Sequence, residues 1–317
     1  MNLRILIIPV LLLFFGCTQT NIKPEKQLEP IPNTDVYLKV LGIAQDGGMP
    51  HINNSQEYND VANGDRKKEL VVSLGLIDTE QKKKYLFDAT PDMPEQLDML
   101  HKELITNTII DGVFLTHAHI GHYTGLMHFG REAMGADAIP VYAMPKMNTF
   151  LSTNGPWSQL VGIENIKIVP MLADSSITLS RKLKITPFLV PHRDEYSETV
   201  GYRIEGPEKT ALFIPDINKW SKWTTSIIEE VKKVDYAFLD ATFFSEGEIP
   251  RPMSEVPHPF IDETVALFKE EDAAIKSKVI FIHFNHSNPA LDKQDVKRLA
   301  LEKEGYRFAR QGEIFGL

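Results

Sequence analysis

His117-Ala-His119-Ile-Gly-His122 follows directly on the apolar run Gly112-Val-Phe-Leu-Thr116, so three of the chain's 10 histidines crowd one turn after a buried strand. Histidines at i, i+2 and i+5 share neither one face of a helix nor one side of a strand, and the segment must curl to bring the rings together. Neutral imidazole is the commonest metal ligand in proteins, and three convergent nitrogens suit zinc, or iron when a carboxylate joins them. The turn therefore reads as a metal-binding segment.

Four other apolar strands end in a residue able to face this turn. Leu189-Val-Pro-His192 and Phe281-Ile-His283 offer imidazoles, Leu212-Phe-Ile-Pro-Asp216 a carboxylate, and Phe87-Asp88 a carboxylate suited to orienting a ligand from behind. Taken singly, Asp216 is equally compatible with capping a turn, and His192 or His283 with a hydrogen-bonded place at the rim of the core. Taken with His117, His119 and His122, they give five histidines and a shareable carboxylate, enough for one or two metals.

The 317 residues, 43% hydrophobic and 24% charged, are those of an ordinary globular protein. A net charge of -9 argues against broad electrostatic capture of duplex nucleic acid and leaves a small-molecule substrate as the expected partner. Met1-Asn-Leu-Arg4 and the apolar Ile5 to Phe15 read as a secretory signal too short to span a bilayer as a mature anchor. The segment ends in Phe14-Phe-Gly-Cys17, which resembles a bacterial lipobox, although Phe14 departs from the usual aliphatic residue. This reading assigns residues 1–16 to a lipoprotein signal peptide, Cys17 to lipidation, 17–35 to a flexible tether and 36–317 to a catalytic domain. The protein would then be exported and held by acyl chains at a bacterial membrane, on its periplasmic or cell-surface side. Cys17 is the only cysteine, so neither an intramolecular disulfide nor a cysteine-rich zinc site is available.

Alternation predicts strands at Val36–Gly42, Leu70–Ile77, Tyr85–Asp88, Val141–Ala143, Ile166–Val169, Leu183–Thr186, Thr199–Ile204, Thr210–Ile214, Tyr236–Asp240 and Lys278–His283. Helices are predicted over Met93–Glu103, Thr124–Met134, Trp220–Lys232 and Ile261–Glu270, and a long, functional loop over Gln45–Lys68. The mixture fits a strand-rich α/β sandwich flanked by helices.

Asp88, His117-x-His119-x-Gly121-His122, His192, Asp216 and His283, in that order, resemble the metallo-β-lactamase superfamily, whose signature is His-x-His-x-Asp-His followed by a His, an Asp and a last His. The resemblance implies a four-layer αββα sandwich with a metal site at one edge of the sheets. It places His117, His119 and His192 on a first metal, His122 and His283 on a second, and Asp216 between them, with one or two zinc ions as cofactor and manganese or iron as alternatives. Gly121 stands where the family carries aspartate, so the second site is expected to be weak or empty, and Gly121→Asp to raise its occupancy.

Three segments are similar to those of the tRNA 3′-end-processing endonucleases: His192-Arg193 with Gly201-Tyr-Arg-Ile204, Leu239-Asp240-Ala-Thr-Phe243, and Pro257-His258-Pro. The similarity implies that Asp240 and His258 act together in proton delivery. A longer resemblance, through Leu41-Gly-Ile-Ala-Gln-Asp-Gly-Gly-Met-Pro50 and Phe281-Ile-His-Phe-Asn-His-Ser-Asn-Pro289, is to the pyrroloquinoline-quinone biosynthesis protein B family. His51-Ile-Asn-Asn-Ser replaces the cysteines that hold structural zinc there.

The expected function is hydrolysis of a small phosphoester, with a metal-bound water as nucleophile. Asp216, Asp240 and His258 are the catalytic candidates, and Arg193 and His286 the substrate contacts. The alternatives are lactone or β-lactam hydrolysis, oxygenation at a mononuclear iron, a role like that of the quinone-biosynthesis relatives, and a tethered protein that binds without catalysis.

Overall fold

The computed structural model describes residues 34–250, 252 and 255–317. The signal segment, Cys17 and most of the tether lie outside them. Among the described residues no helix is long and apolar enough to cross a membrane.

The chain first lays down β1 (Val36–Gly42), β2 (Ser73–Asp78), β3 (Lys83–Phe87), β4 (Gly112–Phe114), β5 (Ile139–Ala143) and β6 (Ile166–Pro170). It then builds β7 (Ile177–Ser180), β8 (Leu183–Leu189), β9 (Val200–Glu205), β10 (Thr210–Ile214), β11 (Tyr236–Asp240), β12 (Val279–Ile282) and β13 (Arg307–Phe308), before β14 (Ile314–Gly316) returns to pair with β1. Two seven-stranded sheets result, ordered β14-β1-β2-β3-β4-β5-β6 and β13-β12-β11-β10-β9-β8-β7. With helices on the outer faces, this is the expected α/β metallo-β-lactamase sandwich.

The apolar character of the strands follows from burial on both sides. All of β1, including Lys39, is buried, and the Lys39 ammonium is satisfied by Glu103 at the end of helix Met93–Glu103. That helix lies so close to β2 that a Cβ on Gly75 would sit 2.3 Å from Leu100 Cδ2. Between the sheets, Phe87 meets Phe114 and Tyr202 at ring-centroid distances of 5.2 Å and Phe213 at 6.0 Å. These large aromatic contacts weld the two sheets into one core.

Strand direction decides where the polar ends emerge. β1 and β2 are antiparallel, as are β2 and β3, while β3 to β6 are parallel, so β1, β3 and β4 all run the same way. In the second sheet β7 to β10 alternate and β10 to β13 are parallel, so β8, β10, β11 and β12 share one direction. Each site residue on a strand end follows one of these strands, in agreement with the tendency of α/β sheets to bind ligands outside their carboxyl ends.

Several sequence expectations need correction. The span Gln45–Lys68 holds a helix, Ser55–Asn63, started by the Asn54 side chain accepting from Glu57 N and closed by left-handed Gly64. Within Thr124–Met134 only a 3-10 turn forms, Thr124–Phe129, running on from a short α-helix, Ile120–Tyr123. A Cβ on Gly125 would lie 2.1 Å from Thr90 O, so the backbone there is pressed onto the loop after β3 and does not continue as a regular helix. Trp220–Lys232 divides into a 3-10 turn, Trp220–Lys222, and a helix, Ile227–Lys232, because Ser226 caps a fresh start by accepting from Glu229 N. The helix at Ile261 ends at Leu267, and helices Pro145–Thr153, Trp157–Gly162 and Val296–Lys303 add to those expected.

Candidate metal centre

The loops after β4, β8 and β10 bring His117, His119, His192 and Asp216 together, each offering a donor atom within 4.8 Å of the others. Asp216 sits between the strand ends. Its Oδ2 lies 3.3 Å from His117 Nε2 and 3.8 Å from His122 Nε2, and its Oδ1 3.2 Å from His192 Nε2. Burial alone would raise the Asp216 pKa, but His192, His258, His117 and His119 together hold it well below the usual carboxylate range. Burial pushes His117 in the opposite sense, well below the ordinary histidine value, which keeps its ring neutral and a lone pair available.

A second group is formed by Asp46, His122 and His283, again within 4.8 Å. Asp46 was not among the sequence candidates. It lies in the tight turn after β1, where Gly48 N bonds to Gln45 O at 2.8 Å. Its Oδ1 is 3.3 Å from His122 Nε2. A carboxylate from another loop thus stands beside His122 and His283, although the turn itself carries Gly121. A third group, Asp216, His258 and His283, adjoins both.

The polar atoms test whether a cation belongs here. Asp46 Oδ1, His122 Nε2, His192 Nε2, Asp216 Oδ1 and His283 Nε2 are all buried without a hydrogen-bond partner. Buried polar atoms are rarely left unsatisfied, and five converging on one place fit a bound divalent cation. The cluster is a metal-binding site, with nitrogen and oxygen donors of the kind that zinc takes.

Two matching hydrogen-bond relays aim the rings. Asp88 Oδ2 lies 2.7 Å from His122 Nδ1, while Thr116 Oγ1 donates to Asp88 at 2.9 Å and lies 3.0 Å from His117 Nδ1. In the other sheet, Asp240 Oδ2 lies 2.9 Å from His258 Nδ1, while Thr242 Oγ1 donates to Asp240 Oδ1 at 2.7 Å and lies 2.9 Å from His283 Nδ1. Each buried acid thus holds one imidazole directly and a second through a threonine hydroxyl. With Nδ1 occupied, Nε2 of His117, His122 and His283 is left to face the cluster. Asp88 and His283 both take left-handed backbone, φ 67° and 69°, an uncommon choice for non-glycine residues that occurs at constrained sites. Burial disfavours charge on His258, but Asp240 and Asp216 outweigh it and raise its pKa to about 10.

A cavity of about 330 Å³ opens beside His258, bordered by Arg193, His51 and His286. His286 stacks on His51 at 4.1 Å between centroids and holds Glu57 through Nδ1 at 2.9 Å. Glu195 supports His119 from outside, 3.1 Å from Nε2. Every sequence-chosen site residue among the described ones, from Asp88 to His286, lies in the cluster, in its relays or on this cavity. The residues that sequence reasoning missed are Asp46, Thr116, Thr242, Glu195, His51 and Glu57. Of these, Asp46 carried a signal, because it follows β1 in the glycine-flanked Gln45-Asp-Gly-Gly48 turn.

Residues 83–284 match the family described as beta-lactamase superfamily domain. Coenzyme PQQ synthesis protein B of Gluconobacter oxydans is 25% identical over 305 residues, covering 88% of this chain and 97% of the relative. Zn(2+)-bound PqqB from Methylobacterium extorquens superposes with a TM-score of 0.72 at 19% identity, over 89% of this chain and 100% of that one. A diphosphatase from the PhnP family superposes with a TM-score of 0.58 at 24% identity, over 88% and 96%. With the metallo-β-lactamase fold of two facing sheets and a His/Asp cluster at one edge, the chain belongs to the β-lactamase superfamily.

Proposed function

We propose that the protein is a metal-dependent phosphodiesterase acting on a small phosphoester. The observation that carries this reading is the buried Asp240–His258 pair at 2.9 Å, with His258 Nδ1 also 3.1 Å from Asp216 Oδ1 and its ring on the wall of the cavity. A divalent cation held by His117, His119, His192 and Asp216, proposed as zinc, would supply Lewis acidity and lower the pKa of a water to about 7. Asp240 holds His258 charged and oriented, so that a substrate in the cavity meets a proton donor for its departing alkoxide. Asp216, with Oδ2 3.3 Å from His117 Nε2 and Oδ1 3.2 Å from His192 Nε2, would share the cation with these imidazoles. Arg193, half exposed at the cavity mouth, offers a planar pair of donors to a phosphoryl group, and His286, braced by Glu57, offers a further contact.

Protein loaded with zinc or manganese is expected to cleave bis(p-nitrophenyl) phosphate and a cyclic nucleotide. Absence of both activities, with lactone or β-lactam opening in their place, overturns the proposal. A second reading is a role like that of coenzyme PQQ synthesis protein B, favoured by the match along nearly the whole of that relative. Turnover of a quinone precursor without phosphoester cleavage would select it.

We also propose, from the amino-terminal sequence, that Cys17 carries acyl chains at a bacterial membrane. Cys17→Ser is expected to move the protein from the membrane fraction to the soluble one, and retention in the membrane fraction would contradict the anchor.

A further inference from the structure

We infer that Asp46 is the carboxylate ligand of the second metal position, supplied across space in place of the acid that the histidine turn lacks at Gly121. A Cβ built on Gly121 would lie 2.1 Å from Asp46 Oδ1, 2.9 Å from Asp46 Cγ and 2.7 Å from Asp46 Cα. The last contact involves backbone, so rotating the Asp46 side chain away does not relieve it. Aspartate at 121 and aspartate at 46 are alternatives for one volume, and glycine at 121 is the condition for Asp46 to fill it.

The position of Asp46 is fixed by main chain. Gln45 N bonds to Phe284 O and Phe284 N to Ile43 O, each at 2.8 Å, and Asn285 Nδ2 donates to Gln45 Oε1 at 2.6 Å. These bonds continue β1 alongside the segment leaving β12, so the loop bearing Asp46 and the loop bearing His283 are paired where they reach the centre. Asp46 Oδ1, His122 Nε2 and His283 Nε2 are each buried and unpartnered. His122 and His283 have their Nδ1 atoms engaged by Asp88 and Thr242. One carboxylate oxygen and two imidazole nitrogens are thus presented together, with Asp216 Oδ2 3.8 Å from His122 Nε2 as a fourth donor shared with the first position.

The inference rests on the cluster as a metal centre and not on any substrate, so a failed phosphodiester assay leaves it standing. The full chain, stripped with chelator and titrated with zinc alone, is read by isothermal calorimetry and by metal content per chain. Wild-type protein is expected to take two ions. Asp46→Asn, which keeps the shape and removes the charge, is expected to keep the first ion and weaken the second at least about a hundredfold. Gly121→Asp alone is expected to fail to strengthen the second site, since it collides with Asp46. Two tightly bound ions in Asp46→Asn would overturn the assignment. Gly121→Asp raising second-site affinity in the presence of Asp46 would overturn the spatial substitution.

Discussion

The two candidate metal positions are assembled differently. His117 and His119 stand two residues apart on a single turn, with His192 and Asp216 arriving from the loops after β8 and β10 of the second sheet. Asp46, His122 and His283 instead come from three segments spread over almost the whole chain, and meet only because β1 is extended beside the segment after β12. The first position depends on local spacing, and the second on a long-range backbone pairing. Variants at His117 and His119 should therefore act on the first position directly, whereas the second should respond also to changes that sequence places far from the turn.

The largest expected effect is on the first position. His117→Ala with His119→Ala should remove its ion and reduce phosphoester turnover to background, measured as metal per chain and initial rate. Retention of both metal and activity would break the comparison at its root. Next, His258→Ala should lower kcat by about a hundredfold to ten-thousandfold on an ester with an alkoxide leaving group, the range of a lost general acid. It should do little on a p-nitrophenyl ester, whose leaving group departs without a proton. Equal losses on both substrates would remove the proton-donor role.

The two relays give a finer test. Asp88→Asn should weaken metal binding about tenfold to a hundredfold through His122, with His258 left in place. Asp240→Asn should weaken it by a similar factor through His283 and also reproduce the leaving-group dependence of His258→Ala. If the two variants are indistinguishable, the acids are merely structural. The smallest effect belongs to the cavity mouth, where Arg193→Ala should raise KM for an anionic ester about tenfold, with metal content unchanged.

Much of this was legible in the sequence because ligands at strand ends announce themselves. Asp88, His192, Asp216, Asp240 and His283 each close or follow a short apolar run, and their chain order resembles one superfamily. Strand direction explains the success, since β3, β8, β10, β11 and β12 all point their carboxyl ends at the centre. Asp46 obeys the same rule after β1, but recognising it required knowing that β2 is antiparallel to both neighbours and that Ala44 pairs with Phe284. Gly121 was readable only as a loss, because the volume that its missing side chain vacates is visible only in three dimensions. Thr116 and Thr242 escaped for another reason: a hydroxyl between an acid and an imidazole has no sequence signature beyond its proximity to both.

The most direct measurement is anomalous diffraction at the zinc edge from crystals of the zinc-loaded protein. Two peaks are expected, the first among His117, His119, His192 and Asp216, and the second bonded to Asp46, His122 and His283. A second peak with the Asp46 carboxylate turned away from it, or a single peak at full zinc loading, would contradict the account.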